Sequence, residues 1–218
     1  MAYKLFEFPA QEMFDELGKG KGMPGSGCVS LISAISGLQL LTSVCKLTLE
    51  KKKYEAIHDQ LQSIAANIEE EYLPKLNRLC NDDIEIVKEM FRLRNLRDNE
   101  SDEEKKAEYT VQALAQLRKG TESVADICGT CLDIIPSALF VYDKGLATAK
   151  GDSAVVISNL LAAVAGALYM TLFNIKSSDG SEWVDDIRTE IETYFGRLHE
   201  YQYIFSGKLA GLYNKTWQ

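Results

Sequence analysis

Two aspartates hold the positions in this chain from which chemistry is easiest to imagine. Asp83 closes the run Asn81-Asp82-Asp83, Asp152 follows Lys150-Gly151, and each stands at the edge of an otherwise apolar helical stretch. A carboxylate placed there can carry protons or stabilise a developing cation. It can equally do no more than cap a helix. Other catalytic groupings are poorly supplied. The only histidines are His58 and His199, far apart in the sequence, which makes a Ser-His-Asp arrangement improbable. Cys128-x-x-Cys131 lacks the two further ligands a zinc site needs and has no preceding strand of the kind a thioredoxin-like motif requires, so no metal is expected.

Two further features have the composition of binding elements. Pro24-Gly25-Ser26-Gly27, followed by Cys28, opens a helix, and the free N–H groups of such a start can take an anion or a carbonyl oxygen. The spacing is not that of a P-loop, so no nucleoside triphosphate site is read here. Ser30, Ser33, Ala34, Ser36 and Gly37 then give the helix a small face, suited to close helix packing or to a flat ligand. Lys51-Lys52-Lys53 follow it. Three adjacent ammonium groups spread around more than half of a helix, so they are either solvated surface charge or contacts for a multiply carboxylated ligand.

These residues must be positioned by helices. The chain has 218 residues, 46% of them apolar and only four of them proline, enough for one sizeable core built from long helices. With 24 basic and 32 acidic residues the net charge is −8, which argues against a nucleic-acid or anionic-membrane binder. The first thirty residues lack an uninterrupted apolar signal segment, and the five cysteines, odd in number, fit reduced buried thiols. The expectation is a cytoplasmic protein. Residues 154–173 are uncharged over a membrane-spanning length, but their flanks carry no basic asymmetry, and they read as the central helix of a bundle.

Apolar spacing at the helical period predicts an all-α, single-domain, up-and-down bundle of about six to seven helices over residues 1–218. A short helix falls at about 10–18. A second runs from Ser26 or Gly27 to about Leu49, with Val29, Ile32, Ile35, Leu38 and Leu41 as its stripe. A third spans about 51–73 and ends or bends at Pro74. The pattern resumes from Leu76 to Phe91, and a charged loop follows, in which Ser101 and Glu104 fit a capping box. Helices are then predicted at 102–119 and 121–142, kinked at Pro136. An apolar helix capped by Asp152 or Ser153 comes next, and a last helix at 182–215 is capped by Ser181.

The stretch PGSGCVSLISAISGLQLLTSVCKLTLEKKKY resembles the opening of the cyclodeaminase/cyclohydrolase family, which comprises the C-terminal domain of formiminotransferase-cyclodeaminase and stand-alone methenyltetrahydrofolate cyclohydrolases. The family pattern is roughly PGGGS, a small-residue helix, then LTxGKKKY. Pro24, Gly25, Gly27, Leu47, Thr48, Lys51 to Lys53 and Tyr54 match it, whereas Ser26, Cys28 and Glu50 depart. Downstream, CNDDIEIVKEMFRLRN keeps the family's Asp at Asp83 but has Val87 for an aromatic. DKGLATAKGDSAVVISNLLAAVAGALYMTLFN keeps Lys144, Gly145, Asp152 and Asn174, with Leu146 and Met170 in place of asparagines and GDSA for SDAG.

The resemblance implies a helical homodimer whose small-residue helices flank a cleft for a tetrahydrofolate derivative. Gly25, Ser26, Gly27 and Cys28 would line the pterin pocket, Lys51, Lys52 and Lys53 would meet a glutamate tail, and Lys144 and Asn174 would touch substrate. Asp83 and Asp152 would supply acid/base chemistry or cation stabilisation. The implied reaction is ring closure of 5-formiminotetrahydrofolate with loss of ammonia, or hydrolysis of 5,10-methenyltetrahydrofolate, with no cofactor beyond the folate itself. The departures motivate an alternative, an inactive family member acting as a folate-binding or scaffold subunit.

Overall fold

A computed structural model describes residues 9–20, 24–178 and 183–217. Among them there are seven α-helices and no strand: α1 (Ala10–Gly18), α2 (Ser26–Leu49), α3 (His58–Asn67), α4 (Leu73–Asn99), α5 (Glu103–Lys144), α6 (Lys150–Lys176) and α7 (Trp183–Trp217). The all-α reading is therefore correct. Helices α2, α4, α5 and α6 form the heart of the bundle, with the tightest packing at α5–α6, α2–α6 and α4–α5. α7 lies across α5 and α6.

α2 and α6 run antiparallel. Near one end Ser30 faces Gly166, mid-way Gly37 meets Val156, Asn159 and Leu160, and at the far end the Leu146 N–H donates to Thr48 Oγ1 at 3.1 Å. Small residues permit the approach: a Cβ on Gly37 would lie 3.3 Å from that of Asn159, and one on Gly166 would lie 2.6 Å from Ser30 Oγ. The predicted stripe on α2 needs correction. Leu38 and Leu41 are buried, but Val29 is exposed and Ile32 and Ile35 only half-buried; the inner face is instead Cys28, Leu31, Ala34, Leu38, Leu41 and Cys45. α2 is apolar nearly all round, so two stripes fit the helical period, and packing against α6 decides which one turns inward.

Other boundaries differ for local reasons. Pro74 does not end its helix. The π-turn at Ile68–Tyr72 widens the backbone just ahead of it, and the chain passes from α3 into α4 without leaving helical conformation. Residues 102–119 and 121–142 form the single 42-residue α5, which continues through Gly120 and the exposed Pro136. Its N-cap is Asp102, not Ser101: Asp102 Oδ1 accepts from the N–H groups of Glu104 at 2.9 Å and Lys105 at 3.3 Å. α6 begins at Lys150, preceded by a 3-10 turn at Ala147–Ala149. Asp152 therefore lies in the first turn, and Ser153 Oγ donates back to Ala149 O instead of capping. The predicted Ser181 cap lies outside the described residues.

Three segments, Ser26–Leu49, Glu103–Lys144 and Ala147–Lys176, are long and apolar enough to cross a membrane. In the bundle they pack on one another, and fully buried side chains such as Leu38, Leu41 and Leu132 each contribute about 1.5–3 kcal/mol of apolar burial.

Candidate active site

The N-terminus of α2 opens on a cavity of about 600 Å³, within the usual range for small-molecule sites, about 300–1,000 Å³. Four elements build it. The turn into α2 supplies Pro24, Gly25, Ser26, Gly27 and Cys28. About two turns of α4 supply Asp83, Ile84, Val87 and Met90, at the spacing of a single helix face. α5 adds Gln116 and Gly120, and α6 adds Gly166, Tyr169, Met170, Phe173 and Asn174. The walls are mostly apolar, with few polar groups among them.

Asp83 is the charged member of that lining, and it is only 7% exposed. Its carboxyl sits directly over the backbone of Gly27: a Cβ there would lie 2.7 Å from Oδ2 and 2.8 Å from Oδ1. Glycine at position 27 is what lets the acid reach the helix end. The fully buried Cys28 donates through Sγ to Asp83 Oδ2 at 3.7 Å. Burial pushes the Asp83 carboxyl above the ordinary carboxylate range, and the Cys28 bond partly opposes that rise. The Cys28 thiol is itself held protonated, by its hydrogen bond with Cys80, by burial and by the neighbouring Asp83 charge. The first intrahelical bond of α2 runs from Val29 N to Gly25 O at 3.2 Å. The N–H groups of Ser26, Gly27 and Cys28 thus have no carbonyl within the helix to bond.

The structure brings together Gly25, Ser26, Gly27, Cys28, Asp83 and Asn174. It does not bring Asp152, Lys51, Lys52, Lys53 or Lys144 to them, because all five are exposed at the opposite end of the α2–α6 pair. There the Ala147 N–H donates to Tyr54 Oη at 3.1 Å, tying the lysine turn to the segment ahead of α6. The separation is set by α2 itself, about 30 Å between Gly27 and Thr48 at 1.5 Å per residue. Gln116, Tyr169 and Phe173 are site residues that sequence reasoning missed. Tyr169 and Phe173 carry a signal that was available, two aromatics four residues apart on a helix otherwise made of small and aliphatic residues.

No group of three or more His, Cys, Asp or Glu side chains arranged to hold a metal ion occurs among the described residues. Cys128 instead donates to Val164 O at 3.7 Å inside the α5–α6 contact.

The fold and cavity define a helical-bundle protein with a buried carboxyl acid at a glycine-rich helix start. Residues 9–193 match the family model described as formiminotransferase-cyclodeaminase, and the chain belongs to that family. It is 26% identical over 182 residues, 84% of this chain and 86% of the relative, to a methenyltetrahydrofolate cyclohydrolase of Methylorubrum extorquens. The crystal structure of formiminotetrahydrofolate cyclodeaminase from Thermotoga maritima shares the fold, with a TM-score of 0.80 at 18% identity, over 95% of this chain and 98% of that one.

Proposed function

We infer that this protein is a folate one-carbon enzyme acting on the carbon that bridges N5 and N10 of tetrahydrofolate, with the cavity at the α2 N-terminus as its active site. The observation that carries the reading is Asp83, a buried carboxyl with raised proton affinity, seated against free helix N–H groups in a mostly apolar cavity. Such an acid keeps its proton to a higher pH than an ordinary aspartate, and in its ionised form it pairs with an amidinium cation.

In hydrolysis of the methenyl bridge, water oxygen bonds to the amidinium carbon while Asp83 takes one water proton. The carboxyl then returns that proton to N5 as the C–N5 bond breaks, and the added oxygen releases its remaining proton to solvent as the C=O forms, leaving the formyl group on N10. In ring closure of the protonated formimino compound, N10 bonds to the same carbon and gives its proton to the ionised Asp83, which passes it to the formimino nitrogen as that C–N bond breaks and ammonia leaves. The free N–H groups of residues 26–28 can donate to a pterin carbonyl or to the developing oxygen. The aromatic pair Tyr169 and Phe173, exposed by 77% and 65%, offers faces for the ring system of the ligand. Asn174 supplies a polar anchor beside them. Neither reaction moves electrons, so tetrahydrofolate is substrate and no other cofactor is invoked.

The lysines fit this reading through a second copy of the chain. The outward faces of α2 and α6 carry Val29, Val155, Tyr169, Leu172 and Phe173, all exposed. No charged residue interrupts α2 before Lys46 or α6 between Asp152 and Lys176. An antiparallel homodimer across this face carries the basic end of one protomer towards the cavity of the other, where Lys51 to Lys53 and Lys144 can meet a glutamate tail, with Asp152 beside them.

Purified protein given 5,10-methenyltetrahydrofolate should consume its near-ultraviolet absorbance. Given 5-formiminotetrahydrofolate, a cyclodeaminase should instead generate that absorbance together with ammonia. Absence of both signals from folded protein overturns the assignment as an enzyme, and calorimetry with tetrahydrofolate then separates a binding protein from a protein with no folate site.

A further inference from the structure

We propose that Cys28 is a positioning residue for Asp83: its thiol holds Oδ2 at the cavity edge and, as a weak donor, leaves the carboxyl able to keep a proton. The inference rests on the reading of Asp83 as the acid of the site, yet the contact itself belongs to the ligand-free protein. Cys28 and Asp83 come from helices 55 residues apart in sequence and meet in the interior at 3.7 Å, with Cys28 fully buried. Gly27, next in the chain, admits the carboxyl to this place, since a Cβ would overlap both of its oxygens.

The surroundings leave the thiol in command. On α2, Cys28 is the titratable group at Asp83, and on α4 Cys80 reaches it only through Cys28. α5 faces the cavity with the uncharged Gln116, while α6 contributes uncharged Asn174 and the Tyr169 phenol at the rim. Among the described residues no lysine, arginine or histidine approaches Asp83 within ion-pairing distance. An ammonium, guanidinium or hydroxyl donor would stabilise the carboxylate more strongly than S–H does and would favour loss of its proton. The chain has a thiol where the family pattern cited above has a serine, so the acid here is governed by a softer contact.

The test follows the Asp83 carboxyl by carbon-13 NMR in the ligand-free protein, its signal assigned by disappearance in Asp83→Asn. Cys28→Ala should move the titration midpoint of Asp83 upwards, because burial remains and the opposing hydrogen bond is gone. Cys28→Ser, which restores a donor, should bring the midpoint back to the wild-type position or below it. Cys45→Ala removes an equally buried thiol elsewhere on α2 and should leave the midpoint in place, which controls for general loosening of the core. In turnover, Cys28→Ala should shift the pH profile of kcat in the same direction as the NMR midpoint and lower kcat by about tenfold with little change in KM. An Asp83 midpoint that Cys28→Ala leaves unmoved, or that Cys45→Ala moves equally, overturns the proposal. Failure of the wild type to turn over folate overturns the function instead, and the NMR result still judges Cys28.

Discussion

Asp83 illustrates how a single residue can work against stability and for chemistry. Its folded carboxyl binds a proton more tightly than the same group in the unfolded chain, with burial as the leading cause. Between the ordinary aspartate range near pH 3.8 and the raised folded value, the native state therefore holds more protons than the unfolded state. Native stability accordingly falls as pH rises through that window and is flat above it. Asp83→Asn removes the ionisable group while keeping an acceptor for the Cys28 thiol. The variant should melt at the same temperature as wild type near pH 3.5 and above it at pH 7.5, by about 2–4 °C for each kcal/mol of burial cost relieved. Scanning calorimetry at the two pH values checks the sign, and a lower melting temperature at pH 7.5 refutes it. The same variant should lose folate turnover by at least roughly a hundredfold, the range expected for loss of a general acid. Gly27→Ala makes a narrower cut. Its methyl group must displace the Asp83 carboxyl, so kcat should fall sharply while far-UV circular dichroism stays that of the wild type.

At the scale of elements, the sequence was legible wherever one helix face is polar and one apolar. α1 falls where its spacing places it, and the inner stripe of α3 is Leu61, Ile64 and Ala65, continued by Ile68 at the start of the π-turn. It was misleading where a local breaker is overruled by packing. Pro74 follows a π-turn inside a continuous helical run, and Gly120, where the pattern suggested a break, lies inside α5, which is held by its neighbours. It was ambiguous on α2, which is apolar on both sides. The site divides in the same way. Gly25 to Cys28 and Asp83 were found through local motifs, whereas Gln116, Tyr169 and Phe173 belong to the cavity only through the way α4, α5 and α6 meet α2. The α2–α6 contact is the element on which that meeting depends, and Gly37 tests it away from the cavity. A leucine at Gly37 must push against Asn159 Cβ at 3.3 Å and the Val156 carbonyl at 3.4 Å, so Gly37→Leu should destabilise the fold by about 1–3 kcal/mol. Urea unfolding measures it, and an unchanged midpoint would mean that the two helices are free to separate.

For the whole molecule, the question is why Lys51 to Lys53 and Asp83 stand about 30 Å apart along α2 if they serve one ligand. Within one chain they stand apart, since α2 is one continuous helix with its ends fixed by the α2–α6 pairing. Two-fold pairing across the uncharged outer face of α2 and α6 removes the difficulty, because antiparallel copies place unlike ends side by side. The pairing also gives cover to Tyr169, Leu172 and Phe173, a larger apolar exposure than an isolated surface helix ordinarily carries. On this reading the detergent-free protein runs in light scattering at about twice its 24.3 kDa chain mass. The more searching experiment uses two defective variants. Asp83→Asn alone loses the acid, and a variant with Lys51, Lys52 and Lys53 all changed to alanine loses the tail contacts, so each should turn over a polyglutamylated folate poorly. After mixing and subunit exchange, half of the dimers pair one copy of each, and each such dimer rebuilds one complete site from an intact cavity and the other chain's intact lysines. Activity should then recover to roughly a quarter of the wild-type value per total site. Recovery fails if the lysines act on the cavity of their own chain, because every site in the mixture then keeps one of the two defects.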